Sequence, residues 1–177
     1  LTIENRQGLL RSVATRERGD CCRNGGWGLV VQYGVFEIAA SAAHIIEHYT
    51  ETDYALEARM AALFGQEAGL FCPSGTMTNQ IAIKVHTRPG DEVICDIASH
   101  IYNFEGGGIG FNSGCSIKLI NGDMGRMKPE QVRASLNPPD NVHNAFSRLV
   151  VAENTSNKGG GSIYNLNDLV EIGSICR

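Results

Sequence analysis

Gly69-Leu70-Phe71-Cys72-Pro73-Ser74-Gly75-Thr76-Met77-Thr78-Asn79 is a short apolar run that breaks at Pro-Ser-Gly-Thr and then takes on helical character. Such a junction aims backbone N–H groups, hydroxyls and the positive end of a helix dipole at one spot, which suits a phosphate or a carboxylate. The residues alone leave a second account open, in which Ser74 or Thr76 caps the helix and Gly75 makes the turn.

Outward from this joint, apolar runs and helical patterns alternate. Upstream, residues 54–64 carry Leu56, Met60, Leu63 and Phe64 at helical spacing, with Asp53 placed as an N-cap and Gly65 as the stop. Strands are expected at 68–72, 92–95, 116–120 and 148–152, and helices at 76–86, 101–105, 128–136 and 166–175. Arg88-Pro89-Gly90-Asp91 marks a turn, Gly106-Gly107-Gly108 interrupts the helix that starts at Ile101, and Pro129 opens the one after it. This rhythm predicts an α/β fold: three layers, with a mainly parallel sheet between flanking helices. Before Asp53 the rhythm is absent. Arg and Gly clusters give way to an apolar stretch in which only a helix over 36–48 is expected.

Composition narrows the function classes. The chain has 177 residues, a net charge of −4 and fifteen Lys and Arg that are dispersed rather than clustered, so nucleic acid is not an expected partner. No apolar run approaches the roughly 20 residues that cross a bilayer, and the opening residues lack a secretory pattern, so a cytoplasmic location is expected. Six cysteines are present. Cys72, Cys95 and Cys176 fall in or beside apolar runs and read as reduced thiols, while the adjacent Cys21 and Cys22 form no metal-binding spacing.

Taken together, Ala-Leu-Phe-Gly, Phe-Cys-Pro-Ser-Gly-Thr-Met-Thr-Asn, Pro-Gly-Asp-Glu-Val-Ile-Cys-Asp, Ser-His-Ile-Tyr-Asn-Phe-Glu-Gly-Gly-Gly and Glu-Asn-Thr-Ser-Asn-Lys-Gly-Gly-Gly carry a resemblance. In order and spacing, over residues 55–177, they resemble the threonine aldolase group of the aromatic amino acid β-eliminating lyase family. That resemblance implies part of the large domain of an aspartate-aminotransferase-like, pyridoxal 5'-phosphate-dependent enzyme, assembled as a homo-oligomer, either a dimer or a tetramer. It implies cleavage of a small amino acid substrate of the β-hydroxy-α-amino class, such as threonine to glycine and acetaldehyde.

Residue roles follow from the same resemblance. Gly75 and Thr76, with Ser74 beside them, match the family's phosphate-binding turn, and His100 matches the histidine that stacks on the cofactor ring near the substrate hydroxyl. Glu105 matches an acidic active-site residue that accepts or relays a proton. Glu153 and Asn154 end a strand at the carboxyl edge of the sheet, where open α/β folds bind ligands. Each also has a structural account: a satisfied polar histidine, a solvated helix face and simple turn formers. Gly106–Gly108 and Gly159–Gly161 either let backbone approach the cofactor or a partner, or form surface loops.

Departures from the family pattern shape the expectation. The Schiff-base lysine and an Asp-Gly-Ala-Arg segment that serves the pyridinium nitrogen are expected beyond Arg177, since none of Lys84, Lys118, Lys128 and Lys158 matches the anchor. The family's approach to its first helix is replaced by Tyr49-Thr50-Glu51-Thr52-Asp53-Tyr54. Residues 1–52 are therefore set apart as an irregular segment, and residues 53–177 as part of a lyase large domain that is inactive alone. An inactive subunit that binds the cofactor, or a complete homologue, is the alternative. His44-Ile45-Ile46-Glu47-His48 also has the order of an inverted zinc-protease motif, although an apolar helix with histidines at its edge accounts for it equally.

Overall fold

A computed structural model describes residues 28–33 and 51–176. Its elements are β1 (Gly28–Tyr33), α1 (Glu51–Phe64), α2 (Gly75–His86), β2 (Glu92–Asp96), α3 (His100–Asn103), α4 (Gly108–Ser113), β3 (Ser116–Ile120), α5 (Pro129–Ser135), β4 (Ser147–Asn154) and α6 (Leu166–Ile175). The described residues fall into two compact units, one of residues 51–75 and one joining β1 to residues 76–176.

In the smaller unit, α1 runs from Glu51, so Asp53 lies inside the helix rather than capping it. Gly65 ends the helix as expected, at φ 62°, with its N–H returned to the carbonyl of Ala62. The strand expected at 68–72 is absent. Its apolar run lies against α1 instead: Phe71 N–H donates to the Glu57 carboxylate at 2.7 Å, and a Cβ at Gly69 would stand 2.8 Å from the Glu57 carbonyl. A strand needs a ladder partner for its backbone, and here a side chain takes that place.

The larger unit is built on a four-stranded parallel sheet in the order β1-β4-β2-β3. Strand β1 was not among the expected elements. Its local pattern is only Leu29-Val30-Val31 between glycine-rich and polar residues, and its strand character comes from pairing with β4, Leu29 opposite Val150 and Val31 opposite Ala152. The other expected strands stand where the apolar runs lie, with β4 longer at both ends.

Period-two alternation places the side chains of one strand on opposite faces. Ile94, Val150 and Ala152 point to one face and pack with Val132 of α5 and Leu169 and Ile172 of α6. Val93, Cys95, Leu149 and Val151 point to the other and pack with Ile83 of α2, Ile101 of α3 and Ile109 of α4. Both faces are covered, which is the three-layer α/β arrangement the alternation predicts. Burying a side chain such as Ile94, which has no exposed surface, contributes on the order of 2 kcal/mol.

The helices follow local signals. Pro129 takes the first position of α5, where its missing N–H costs nothing. Asn165 caps α6 by accepting the Asn167 N–H at 2.9 Å. The helix expected at 101–105 ends at Asn103, and the triple glycine is followed by a short helix that the sequence pattern did not indicate. Gly107 and Gly114 bracket α4 at φ 72° and 67°, conformations that a side chain resists. No helix among the described residues is long and apolar enough to cross a membrane.

Candidate functional site

Neighbouring strands β2 and β4 run parallel, so both deliver their following loops to the same edge of the sheet. After β2, Asp96 turns the chain: its carboxylate accepts the Ala98 N–H at 2.7 Å and the Gly122 N–H at 2.8 Å. Four residues on, His100 starts α3. From β4, the buried Glu153 reaches across and accepts the His100 N–H at 2.6 Å through one oxygen and the Asn157 N–H at 2.9 Å through the other.

The His100 side chain belongs to a second set of contacts. Its Nδ1 lies 3.1 Å from Glu105 Oε1, and the Glu105 side chain is fully enclosed while that of His100 keeps 35% of its surface. Two amides of α2 complete the carboxylate shell: Asn79 Nδ2 donates to Oε1 and Gln80 Nε2 to Oε2, each at 2.6 Å. Charge-assisted bonds of this length are the strong kind. Phe104 lies beside the His100 ring, with centroids 5.3 Å apart and planes tilted by 44°. Lys158 stands 5.0 Å over the Phe104 ring.

Thr76 is exposed in the first turn of α2, and no acidic residue occupies that turn, so the positive end of the helix dipole is uncompensated by side chains. Asn79 lies one turn further, about 4.5 Å along the axis at the standard helical rise. The helix that carries Thr76 is thereby joined through Glu105 to His100, and His100 to Glu153. Ser74 and Gly75 close the smaller unit, where Ser74 is exposed and Gly75 opens α2. Asn154 sits apart from the histidine contacts and ties the following loop by accepting the Tyr164 N–H at 3.2 Å.

Asn79 and Gln80 were not among the expected site residues. Their signal was a polar pair inside an otherwise apolar helix, and its meaning depends on a partner 25 residues away. The glycine clusters have packing reasons. A Cβ at Gly108 would stand 2.5 Å from the Gln80 amide, and one at Gly159 would overlap the Met124 carbonyl. Lys84, Lys118 and Lys128 are committed elsewhere, to the Asn112 carbonyl, Asn137 and Asp168. His44, Glu47 and His48, with the helix expected at 36–48, lie outside the described residues.

Burial also sets the chemistry of the thiols. Cys95 lies on β2 immediately before this edge, and its removal from water pushes the thiol up to about 12, with Asp96 and Glu153 adding to the rise. It is therefore a core residue rather than a nucleophile.

Comparison with known proteins agrees with this arrangement. Residues 39–177 match the family model described as beta-eliminating lyase. The low-specificity L-threonine aldolase of Saccharomyces cerevisiae is 37% identical over 126 residues, which cover 68% of this chain and 31% of the yeast protein. An Arabidopsis thaliana low-specificity L-threonine aldolase is 36% identical over 132 residues, covering 73% of this chain and 37% of that protein. Among solved structures, a Leishmania major threonine aldolase superposes with a TM-score of 0.53 at 27% identity, covering 58% of this chain and 29% of the other. This chain thus spans about a third of the length of the curated relatives it matches, at 31% of one and 37% of another. The parallel sheet, the histidine at its carboxyl edge and a family match over most of the sequence converge: the chain belongs to the beta-eliminating lyase family.

Proposed function

We propose that this chain forms the phosphate turn and ring-stacking half of a pyridoxal 5'-phosphate site in an enzyme that cleaves β-hydroxy-α-amino acids, threonine to glycine and acetaldehyde. The observation that carries it is the bonded path from α2 through Glu105 to His100, which ties a free helix start to a half-exposed imidazole. The donor set suits the group: N–H groups and the Thr76 hydroxyl for a phosphate, an imidazole ring for stacking, and a buried carboxylate behind it. Bound there, pyridoxal phosphate supplies the electron sink that makes the Cα–Cβ bond of the substrate cleavable.

The chain's own residues then have distinct tasks. Gly75 and Thr76, with Ser74 beside them, hold the phosphate at the start of α2. His100 covers one face of the ring. With Nδ1 engaged by Glu105, its Nε2 is the atom left to receive the proton of the substrate hydroxyl as the aldehyde forms. Glu153 keeps His100 in place through the backbone, and Asn154 shapes the adjoining loop. The covalent lysine and the partner of the ring nitrogen have no counterpart among the lysines and acids described at this site, and we assign them to other parts of a longer protein. Assembly as a homo-oligomer, dimer or tetramer, rests on the family resemblance.

Two assays on the purified chain test this. With excess pyridoxal phosphate, threonine is expected to yield no glycine, while binding of pyridoxal phosphate is measurable by its absorbance. Combined Thr76→Ala and His100→Ala substitution is expected to weaken that binding by about tenfold or more, the scale of one or two lost polar contacts. Robust glycine release would overturn the placement of the anchoring lysine elsewhere, and unaltered binding by the double variant would overturn the site.

A further inference from the structure

We propose that Gln80, seated against Gly108 and fixed by Asn112, is a positioning residue that sets which nitrogen of His100 carries the proton. The inference rests on the reading of His100 as the residue that faces cofactor and substrate.

The geometry leads there one atom at a time. Glu105 receives Asn79 Nδ2 at Oε1 and Gln80 Nε2 at Oε2, both at 2.6 Å. An amide NH₂ has only donors and an ionised carboxylate only acceptors, so these bonds hold Glu105 as an acceptor at both oxygens. The remaining neighbour, His100 Nδ1 at 3.1 Å from Oε1, must then present N–H. In a neutral imidazole one nitrogen carries the proton and the other accepts, so Nε2 is left as the acceptor.

Gln80 decides this because its own orientation is fixed. A side-chain amide can turn end for end, and a reversed Gln80 would aim its oxygen at the carboxylate. Asn112 prevents the reversal by donating from Nδ2 to Gln80 Oε1 at 3.1 Å. Gly108 supplies the room: a Cβ there would lie 2.5 Å from both Cδ and Oε1 of Gln80. The glycine that opens α4 and the amide on α2 are thus one device. Its output is a histidine whose Nε2 is ready to take a proton rather than give one.

The test reads the tautomer directly and uses no cofactor, so its failure is separable from failure of the cofactor assignment. The full chain, labelled with ¹⁵N-histidine, is examined by long-range ¹H–¹⁵N correlation above the histidine titration range, with His100→Gln used to assign the His100 signals. A single pattern with Nδ1 protonated and Nε2 bare is expected. Gln80→Met keeps the volume and removes the amide, and Gly108→Ala keeps the amide but displaces it; each is expected to convert that pattern to a tautomer mixture. A wild-type spectrum with Nε2 protonated would overturn the proposal without any variant. A Gln80→Met chain that retains the pure Nδ1–H pattern would overturn it as well, because a merely structural role for Gln80 would leave the tautomer unmoved.

Discussion

The two edges of the sheet both bury carboxylates, and they neutralise them differently. At the amino edge, Asp91 accepts the Arg88 N–H at 2.8 Å and the Arg148 Nε at 3.2 Å, with the Arg148 guanidinium 4.4 Å over the Phe146 ring. Beside it, Glu92 Oε1 accepts the Ser147 hydroxyl at 2.9 Å and Asn137 Nδ2 at 3.0 Å. At the carboxyl edge, Asp96, Glu105 and Glu153 have amides and backbone N–H groups around them, and the titratable group in contact with them is His100. A carboxylate locked to a guanidinium has its charge cancelled permanently and closes a loop. Carboxylates held by neutral donors keep their field, and a half-exposed imidazole within that field can respond to a ligand. One edge is a clasp and the other a site.

The largest effect that would test this contrast is expected from Glu105→Leu. It strands the Asn79 and Gln80 amides and His100 Nδ1 in a buried space, and leaving buried donors unpaired costs about 1–3 kcal/mol each. A loss of about 3 kcal/mol in urea unfolding is expected, together with loss of pyridoxal phosphate binding. Arg148→Met comes next. The Arg148 and Asp91 side chains retain 18% and 11% of their surface, so water relieves part of the broken pair and about 2 kcal/mol is expected. Ligand affinity should be unchanged in that variant. Should Arg148→Met weaken pyridoxal phosphate binding as much as Glu105→Leu, the division between clasp and site is wrong.

The sheet was legible where a strand's evidence is local. Val93-Ile94-Cys95, Ile117 to Ile120 and Leu149 to Ala152 are apolar runs punctuated by turns, and each is a strand. Where pairing decides, the sequence misled in both directions. Leu29-Val30-Val31 became a strand through β4, and Leu70-Phe71-Cys72, equally apolar, did not because Glu57 took its backbone N–H. The site divides along the same line. His100 and Glu105 came from a resemblance carried by contiguous motifs, whereas Asn79, Gln80 and Gly108 act through contacts that bring together α2, α4 and the loop before it. A helix interior hides such a role, since an amide among isoleucines looks the same whether it meets water or a carboxylate.

The smallest expected effect is alkaline, and it sharpens the contrast between the edges. Burial pushes both Cys95 and Cys176 up to about 12 from an ordinary value of 9.0. For Cys95 the acids Asp96 and Glu153 add to the rise, whereas Cys176, in the core beneath α6, rises through burial alone. A thiol raised in the folded state keeps its proton there while the unfolded chain releases it. The stability it contributes is therefore complete below about pH 9 and is lost as pH climbs from 9 toward about 12. Urea midpoints measured at pH 8 and pH 10 should differ by about 1 kcal/mol for each buried thiol. Cys176→Ala should remove its share whatever else is changed. The share of Cys95 depends on its neighbours: in a Glu153→Gln background the Cys95 thiol should ionise at lower pH, so Cys95→Ala should flatten the alkaline slope less there than in the parent chain. Equal flattening in both backgrounds would mean that Glu153 exerts no field on β2, and the carboxyl edge would then be no more electrostatically open than the amino edge.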